Sequence, residues 1–127
     1  MQTEDLNGAT FERWDTEEVR AGLDAGEIVL IDVRTPLEYG LEHIPGALNF
    51  PMAFFDPKAL PTQDGKRLVL HCGAGLRSER MAKWAAEAGF DRIAHLEGGF
   101  AAWKEAKLPY RATEMSTGAP KMVTPEK

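Results

Sequence analysis

The stretch that most limits the fold runs Leu68-Val69-Leu70-His71-Cys72-Gly73-Ala74-Gly75-Leu76-Arg77-Ser78. Its first part reads as a short apolar strand that ends on the chain's only cysteine. Its last part opens a helix, because Met81, Trp84, Ala85 and Ala88 recur at helical spacing while Glu79, Lys83 and Glu87 fill the opposite face four apart. Ser78 is the expected N-cap and Gly89 the expected stop. Strand, glycine loop and helix in immediate succession call for a layered α/β arrangement.

The same stretch carries chemistry. A helix N-terminus presents unpaired N–H groups and a partial positive charge, so a thiolate at the start of the loop is stabilised there. Gly73 and Gly75 can take positive φ, which lets successive amides point at one centre as an anion-binding nest. Arg77 adds a fixed cation with forked donors. Together these are expected to lower the pKa of Cys72 below the free-thiol value of roughly 8.5, and the thiolate is the reactive form. Alone, Cys72 would read as a buried strand-end cysteine, a common place for a free thiol. The Gly-x-Gly-x-Arg-Ser context favours a nucleophile.

Upstream, Met1 to Thr10 reads as a flexible lead-in. Asp15 and Glu18 set a capping box for a helix running to about Gly26, and Ile28-Val29-Leu30-Ile31 is a continuous aliphatic run suited to a central parallel strand. At its carboxyl end stand Asp32, Arg34 and Glu38, where ligands of open α/β sheets bind. These three read best as a pocket scaffold, with Arg34 and Glu38 four apart as an ion pair and Asp32 anchoring a loop amide. Thr35 and Glu38 form a second capping box, with Pro36 at the first helical position. His43 lies in a turn and is expected to bond backbone. Asp56-Pro57 opens a short helix, Phe90 to Leu96 supplies a strand, and Gly98-Gly99 turns the chain into a helix bearing Phe100 and Trp103. That turn permits close backbone approach beneath the loop. Beyond Tyr110, residues 111–127 lack periodicity and are expected to be disordered.

Cys72-Gly73-Ala74-Gly75-Leu76-Arg77-Ser78 resembles the active-site loop of rhodanese-like sulfurtransferases. Ile31-Asp32-Val33-Arg34-Thr35-Pro36-Leu37-Glu38-Tyr39 followed by His43-Ile44-Pro45-Gly46-Ala47, and Leu96-Glu97-Gly98-Gly99-Phe100 with Trp103, resemble that family's other two signatures in the right order. The resemblance implies one rhodanese-like α/β domain over residues 11–110, with a mainly parallel sheet and helices on both faces. It implies that Cys72 is the catalytic nucleophile and that Gly73, Ala74, Gly75, Leu76, Arg77 and Ser78 bind the substrate. A sulfane sulfur would pass from thiosulfate or a related anionic donor, through a Cys72 persulfide, to cyanide, a small thiol or a partner protein. No cofactor or metal is implied, and three dispersed histidines offer no ligand spacing. Gly73 stands where thiosulfate-preferring relatives often carry a basic residue, and Arg77 where mercaptopyruvate-using ones carry Thr, so donor preference stays open.

Two alternatives remain. Phosphatases and arsenate reductases on this fold have five residues between Cys and Arg, whereas four separate Cys72 from Arg77. A persulfide carrier serving a partner protein shares the chemistry and differs in acceptor. The net charge of −5 argues against nucleic acid, no run suits a membrane span, and cytoplasm is the expected setting.

Overall fold

The aliphatic runs at Ile28–Ile31 and Leu68–Leu70 have no polar face, and strands of that kind must be covered on both sides. The computed structural model describes residues 1–126 and meets that demand. In chain order it has β1 (Gln2–Leu6), β2 (Ala9–Trp14), α1 (Thr16–Ala25), β3 (Ile28–Asp32), α2 (Pro36–Leu41), β4 (Glu42–His43) and β5 (Leu48–Asn49). There follow β6 (Arg67–His71), α3 (Leu76–Glu87), β7 (Arg92–Leu96), α4 (Gly99–Glu105), β8 (Tyr110–Thr113) and β9 (Pro120–Val123). Single 3-10 turns at Met52–Phe54 and Pro57–Ala59 link β5 to β6, the second capped by the Asp56 side chain.

The main sheet has the order β1-β2-β7-β6-β3-β5, parallel throughout except for β1. Alternation along the central strands sends successive side chains to opposite layers. Leu68 and Leu70 pack with Ile31, Phe11 and Ile93 against Met81, Ala82 and Ala85 of α3. Val69, Leu30 and Ala94 pack on the other face against Val19 of α1 and against Phe100 and Trp103 of α4. The expected α/β architecture, a mainly parallel sheet with helices on both faces, is therefore present. Both capping boxes form, with Asp15 and Thr35 each receiving the N–H of the residue three on and returning their own to its carboxylate. Among the described residues no helix is long and apolar enough to cross a membrane.

Both ends depart from expectation. Residues 1–10 are not a loose lead-in: β1 pairs antiparallel with β2 through a two-residue Asn7-Gly8 turn, both at positive φ (53° and 96°). Asn-Gly is the residue pair that such a hairpin turn favours. The strand escapes notice because Thr3, Glu4 and Asp5 give it little apolar weight, as suits an exposed edge. Residues 111–127, expected as a disordered tail, instead supply most of β8 and all of β9, which form with β4 a small antiparallel sheet. Its register is set by Glu42 opposite Ala112, and the hairpin closes through Gly118 N–H to Glu114 O at 2.7 Å. Ala112 is its one buried side chain, so it leaves almost no hydrophobic trace. Lys127 lies outside the described residues.

The carboxyl ends of β3, β6 and β7 open on one edge, and the Gly98-Gly99 turn closes beneath it. Phe100 N–H donates to Cys72 O at 2.8 Å and Ala101 N–H to Gly73 O at 3.0 Å. A Cβ on Gly99 would stand 2.4 Å from Cys72 O, at φ +61°. Gly99→Ala is therefore expected to cost about 2 kcal/mol or more, from left-handed strain plus the clash. Gly40→Ala, on an exposed helical position with open space around it, is expected to be neutral or to stabilise by about 0.5–1 kcal/mol. Thermal melts of the two variants beside the parent check this. Equal melting of Gly99→Ala and parent would contradict the close approach.

Candidate active site

β6 delivers Cys72 to the sheet edge, and the residue is 1% exposed. Two backbone donors reach its sulfur: Gly75 N–H at 3.0 Å and Ser78 N–H at 3.3 Å. The Ser78 hydroxyl lies 3.5 Å away. Burial pushes the thiol pKa up, but the Ser78 hydroxyl and the amides of Ser78, Gly75 and Ala74 outweigh it together and leave it lowered. The expected inward amides are thus present, though by a different route. Only Gly75 takes positive φ, at 109°, while Gly73 does not. A Cβ on Gly73 would sit 3.1 Å from Arg77 Nη2, so its small size clears room for the guanidinium.

Helix α3 also begins earlier than the Ser78 cap predicts. Gly75 is the N-cap, its carbonyl accepting Glu79 N–H at 3.0 Å. A left-handed glycine starts the helix without a side-chain cap, which places Ser78 in the first turn with its hydroxyl turned inward. Ser78 is fully buried, whereas Ala74 and Leu76 are exposed at the mouth.

The charged residues divide into two pairs. Arg77 makes a two-pronged bond to Glu38, Nη1 to Oε1 at 2.8 Å and Nη2 to Oε2 at 3.0 Å. That bond, against some burial and with help from Thr35, lowers the Glu38 pKa to about 2. No hydrogen bond joins Arg77 to the sulfur among the described residues, so the amides and the Ser78 hydroxyl carry the local stabilisation. The second pair is Asp32 with Arg34, both buried. Asp32 accepts the Arg34 backbone N–H at 2.9 Å, Nε at 3.0 Å and Nη2 at 2.8 Å, and Arg34 Nη2 also reaches Glu42 O at 2.7 Å. The anchoring role of Asp32 holds. The expected Arg34–Glu38 pair does not form, because Arg34 precedes the N-cap Thr35 and its side chain turns back to the strand end. His71 is fully buried beside Asp32 (Nε2 to Oδ2, 3.5 Å), and burial lowers its pKa despite that carboxylate.

Behind Ser78 lies a contact that pattern reading missed. Ser78 Oγ is 2.8 Å from His95 Nδ1, and His95 Nε2 is 3.2 Å from Glu97 Oε2. His95 sits at the carboxyl end of β7, one strand from Cys72. A histidine one residue short of the Leu96-Glu97-Gly98-Gly99 signature was the available signal. His43, by contrast, bonds the backbone as expected, its Nδ1 2.7 Å from Tyr39 O.

The sequence model of the rhodanese-like domain family matches residues 15–106. A sulfurtransferase of Allochromatium vinosum is 32% identical over 91 residues, covering 72% of this chain and 85% of its own. A tRNA uridine(34) hydroxylase of Enterobacter sp. is 34% identical over 104 residues, covering 74% of this chain and 30% of its own length. An uncharacterised Synechocystis protein is 44% identical over 82 residues, covering 65% of this chain and 46% of its own. The chain therefore spans less than half the length of the last two. Among solved structures, a human single-domain sulfurtransferase superposes with a TM-score of 0.66 at 26% identity, covering 76% of this chain and 97% of that one. A Rhodopseudomonas palustris protein of unknown function, described as a possible tyrosine phosphatase, superposes with a TM-score of 0.63 at 31% identity, covering 76% and 81%.

The Glu38–Arg77 bridge has a pH signature. Glu38 titrates below its ordinary value, so the stability it contributes is present above about pH 4.5 and is lost as pH falls toward about 2. Both side chains are about a third exposed, which limits the contribution to roughly 1 kcal/mol. Glu38→Gln keeps the capping box and removes the charge. The melting difference between parent and variant is expected to be constant near neutrality and to vanish in acid. A difference that persisted at the acid end would contradict the bridge.

Proposed function

The chain belongs to the rhodanese-like domain family, and from that premise we propose that it is a sulfurtransferase with Cys72 as the nucleophile. The observation that carries the proposal is the sulfur itself, held at the sheet edge under two backbone amides with its pKa lowered. The lone pair of the Cys72 thiolate forms a bond to the outer sulfur of a donor such as thiosulfate. The donor's S–S bond breaks, and sulfite leaves with the electron pair. Cys72 is left as a persulfide whose outer sulfur carries the negative charge, in reach of the donors of Gly73 to Ser78. Cyanide or a thiolate then attacks that outer sulfur, and the pair of the breaking bond returns to Cys72. Splitting the transfer into two displacements is covalent catalysis with ping-pong kinetics.

In this reading the loop amides stabilise charge in both steps, each donor contributing a few kcal/mol. Arg77 attracts the anionic donor at the rim while Glu38 fixes its orientation. Asp32 and Arg34 act at a distance from the sulfur, tying the ends of β3 and β4 into the pocket wall. A reduced cytoplasmic setting suits a chain whose single cysteine must stay free.

Intact mass spectrometry after incubation with thiosulfate and removal of small molecules tests the proposal. One added sulfur atom is expected on the parent, removable by cyanide, and none on Cys72→Ser. If thiosulfate, mercaptopyruvate and a small persulfide all leave the mass unchanged, sulfur transfer is overturned, and turnover of an aryl phosphate or arsenate would put phosphatase or reductase chemistry in its place. Sulfur gained but passed on only to a partner protein would mark a carrier. Arg77→Ala is expected to raise KM for an anionic donor about tenfold with the fold retained, the loss of one charged contact. An unchanged KM would confine Arg77 to holding Glu38.

A further inference from the structure

We infer that Ser78, His95 and Glu97 form a proton path from the Cys72 thiol toward the surface, in which Ser78 passes the proton and His95 holds it. The chain of contacts is continuous: Sγ to Oγ 3.5 Å, Oγ to Nδ1 2.8 Å, and Nε2 to Oε2 3.2 Å. Its inner members are sealed, with Ser78 fully buried and His95 1% exposed, while the Glu97 side chain is 58% exposed.

Ser78 Oγ also lies 3.2 Å from Gly75 O, a second acceptor for its hydroxyl; with the hydroxyl proton on the path instead, donor and acceptor rules leave two arrangements. An ionised Glu97 only accepts, so His95 Nε2 carries a proton and, in the neutral ring, Nδ1 is a lone pair. Ser78 O–H then donates to Nδ1, and its own lone pair faces the thiol proton. In the second arrangement the thiol proton moves to Oγ and the hydroxyl proton moves to Nδ1. Two O–H or S–H bonds break, an O–H and an N–H form, and total charge is unchanged. The sulfur is now a thiolate that receives Ser78 O–H, and the ring is an imidazolium donating to Ser78 and to Glu97.

The surroundings of His95 bear on that cation. Burial disfavours it and on balance leaves the His95 pKa below its ordinary value, although Glu97 beyond β7 and Glu79 of α3 favour the charged ring. Arg13 of β2 opposes it, yet its charge is spent on carboxylates, with Glu4 at 3.0 Å, Glu79 at 3.1 Å and Glu97 at 3.4 Å. The Phe11 ring, 5.1 Å from the imidazole, completes the wall. Ser78 touches the reacting sulfur. His95 and Glu97 act through it and are positioning residues.

The inference rests on the nucleophile named above but not on its sulfur chemistry, and the test keeps the two apart. Cys72 is the only cysteine, so alkylation by iodoacetamide reports it alone. Rates are followed against pH in the parent, Ser78→Ala, His95→Asn and Glu97→Gln. His95→Asn retains an amide donor for Ser78 Oγ but cannot take a proton. Its midpoint is expected to rise by about one unit, which lowers the rate near neutrality about tenfold. Glu97→Gln, on an exposed side chain that keeps the fold, is expected to shift the same way by about threefold in rate, because the imidazolium loses its counter-charge. Ser78→Ala is expected to shift at least as far as His95→Asn. A profile of either His95→Asn or Glu97→Gln that overlays the parent's overturns the path. Overlaid profiles with persulfide still formed would sink the path and leave the sulfurtransferase reading standing. Shifted profiles with no sulfur gained from any donor would do the reverse.

Discussion

The site depends on two hydrogen bonds made by carbonyls. Cys72 O and Gly73 O are held from below by Phe100 and Ala101 N–H at the start of α4. In a trans peptide the carbonyl and the following N–H point opposite ways. Pulling these two carbonyls down therefore turns the amides of Gly73 and Ala74 upward, and Ala74 N–H is among the donors that lower the Cys72 pKa. The anion-binding face of the loop is thus set by what its reverse side is tied to. Gly99 is indispensable to that tie, because a side chain there would meet Cys72 O at 2.4 Å.

Placement of charge follows from the same economy of space. Among the described residues the groups that hydrogen-bond the sulfur are neutral dipoles, which stabilise an anion without a counter-ion in direct contact that would have to be desolvated. Full charges sit further out, already paired: Arg77 with Glu38 at the rim, Asp32 with Arg34 within the wall. Breaking a buried pair on one side is costly, so Asp32 and Arg34 hold one arrangement of the ends of β3 and β4. The rim pair is wetter and looser, where a donor must enter and leave.

How much of this was legible depended on hydrophobic weight. The strand–loop–helix at Cys72, the Asp15 and Thr35 caps and the Gly98-Gly99 turn all announce themselves through strong local signals. The edge hairpin at Asn7-Gly8 did not, since its outer strand is mostly polar. Nor did β9, whose side chains are largely exposed. Ser78 misled for a different reason: serine is a favoured N-cap, but a left-handed glycine three residues earlier took the role and freed the hydroxyl for Cys72 and His95. The pairing of Arg77 with Glu38 and the link from Ser78 to His95 are tertiary, joining residues 39 and 17 positions apart. No local pattern encodes contacts of that range.

The central claim is that Cys72 accepts sulfur in a complete first half-reaction, with the amide-lined loop stabilising the product before any acceptor arrives. The most direct measurement is the amount of leaving group released when the reduced protein is mixed with excess donor and no acceptor, sulfite from thiosulfate or pyruvate from mercaptopyruvate. One equivalent per Cys72, released in a single phase that then stops, is the predicted result. Release that begins only when the acceptor is added would mean that donor and acceptor react together on the protein, and would contradict the account.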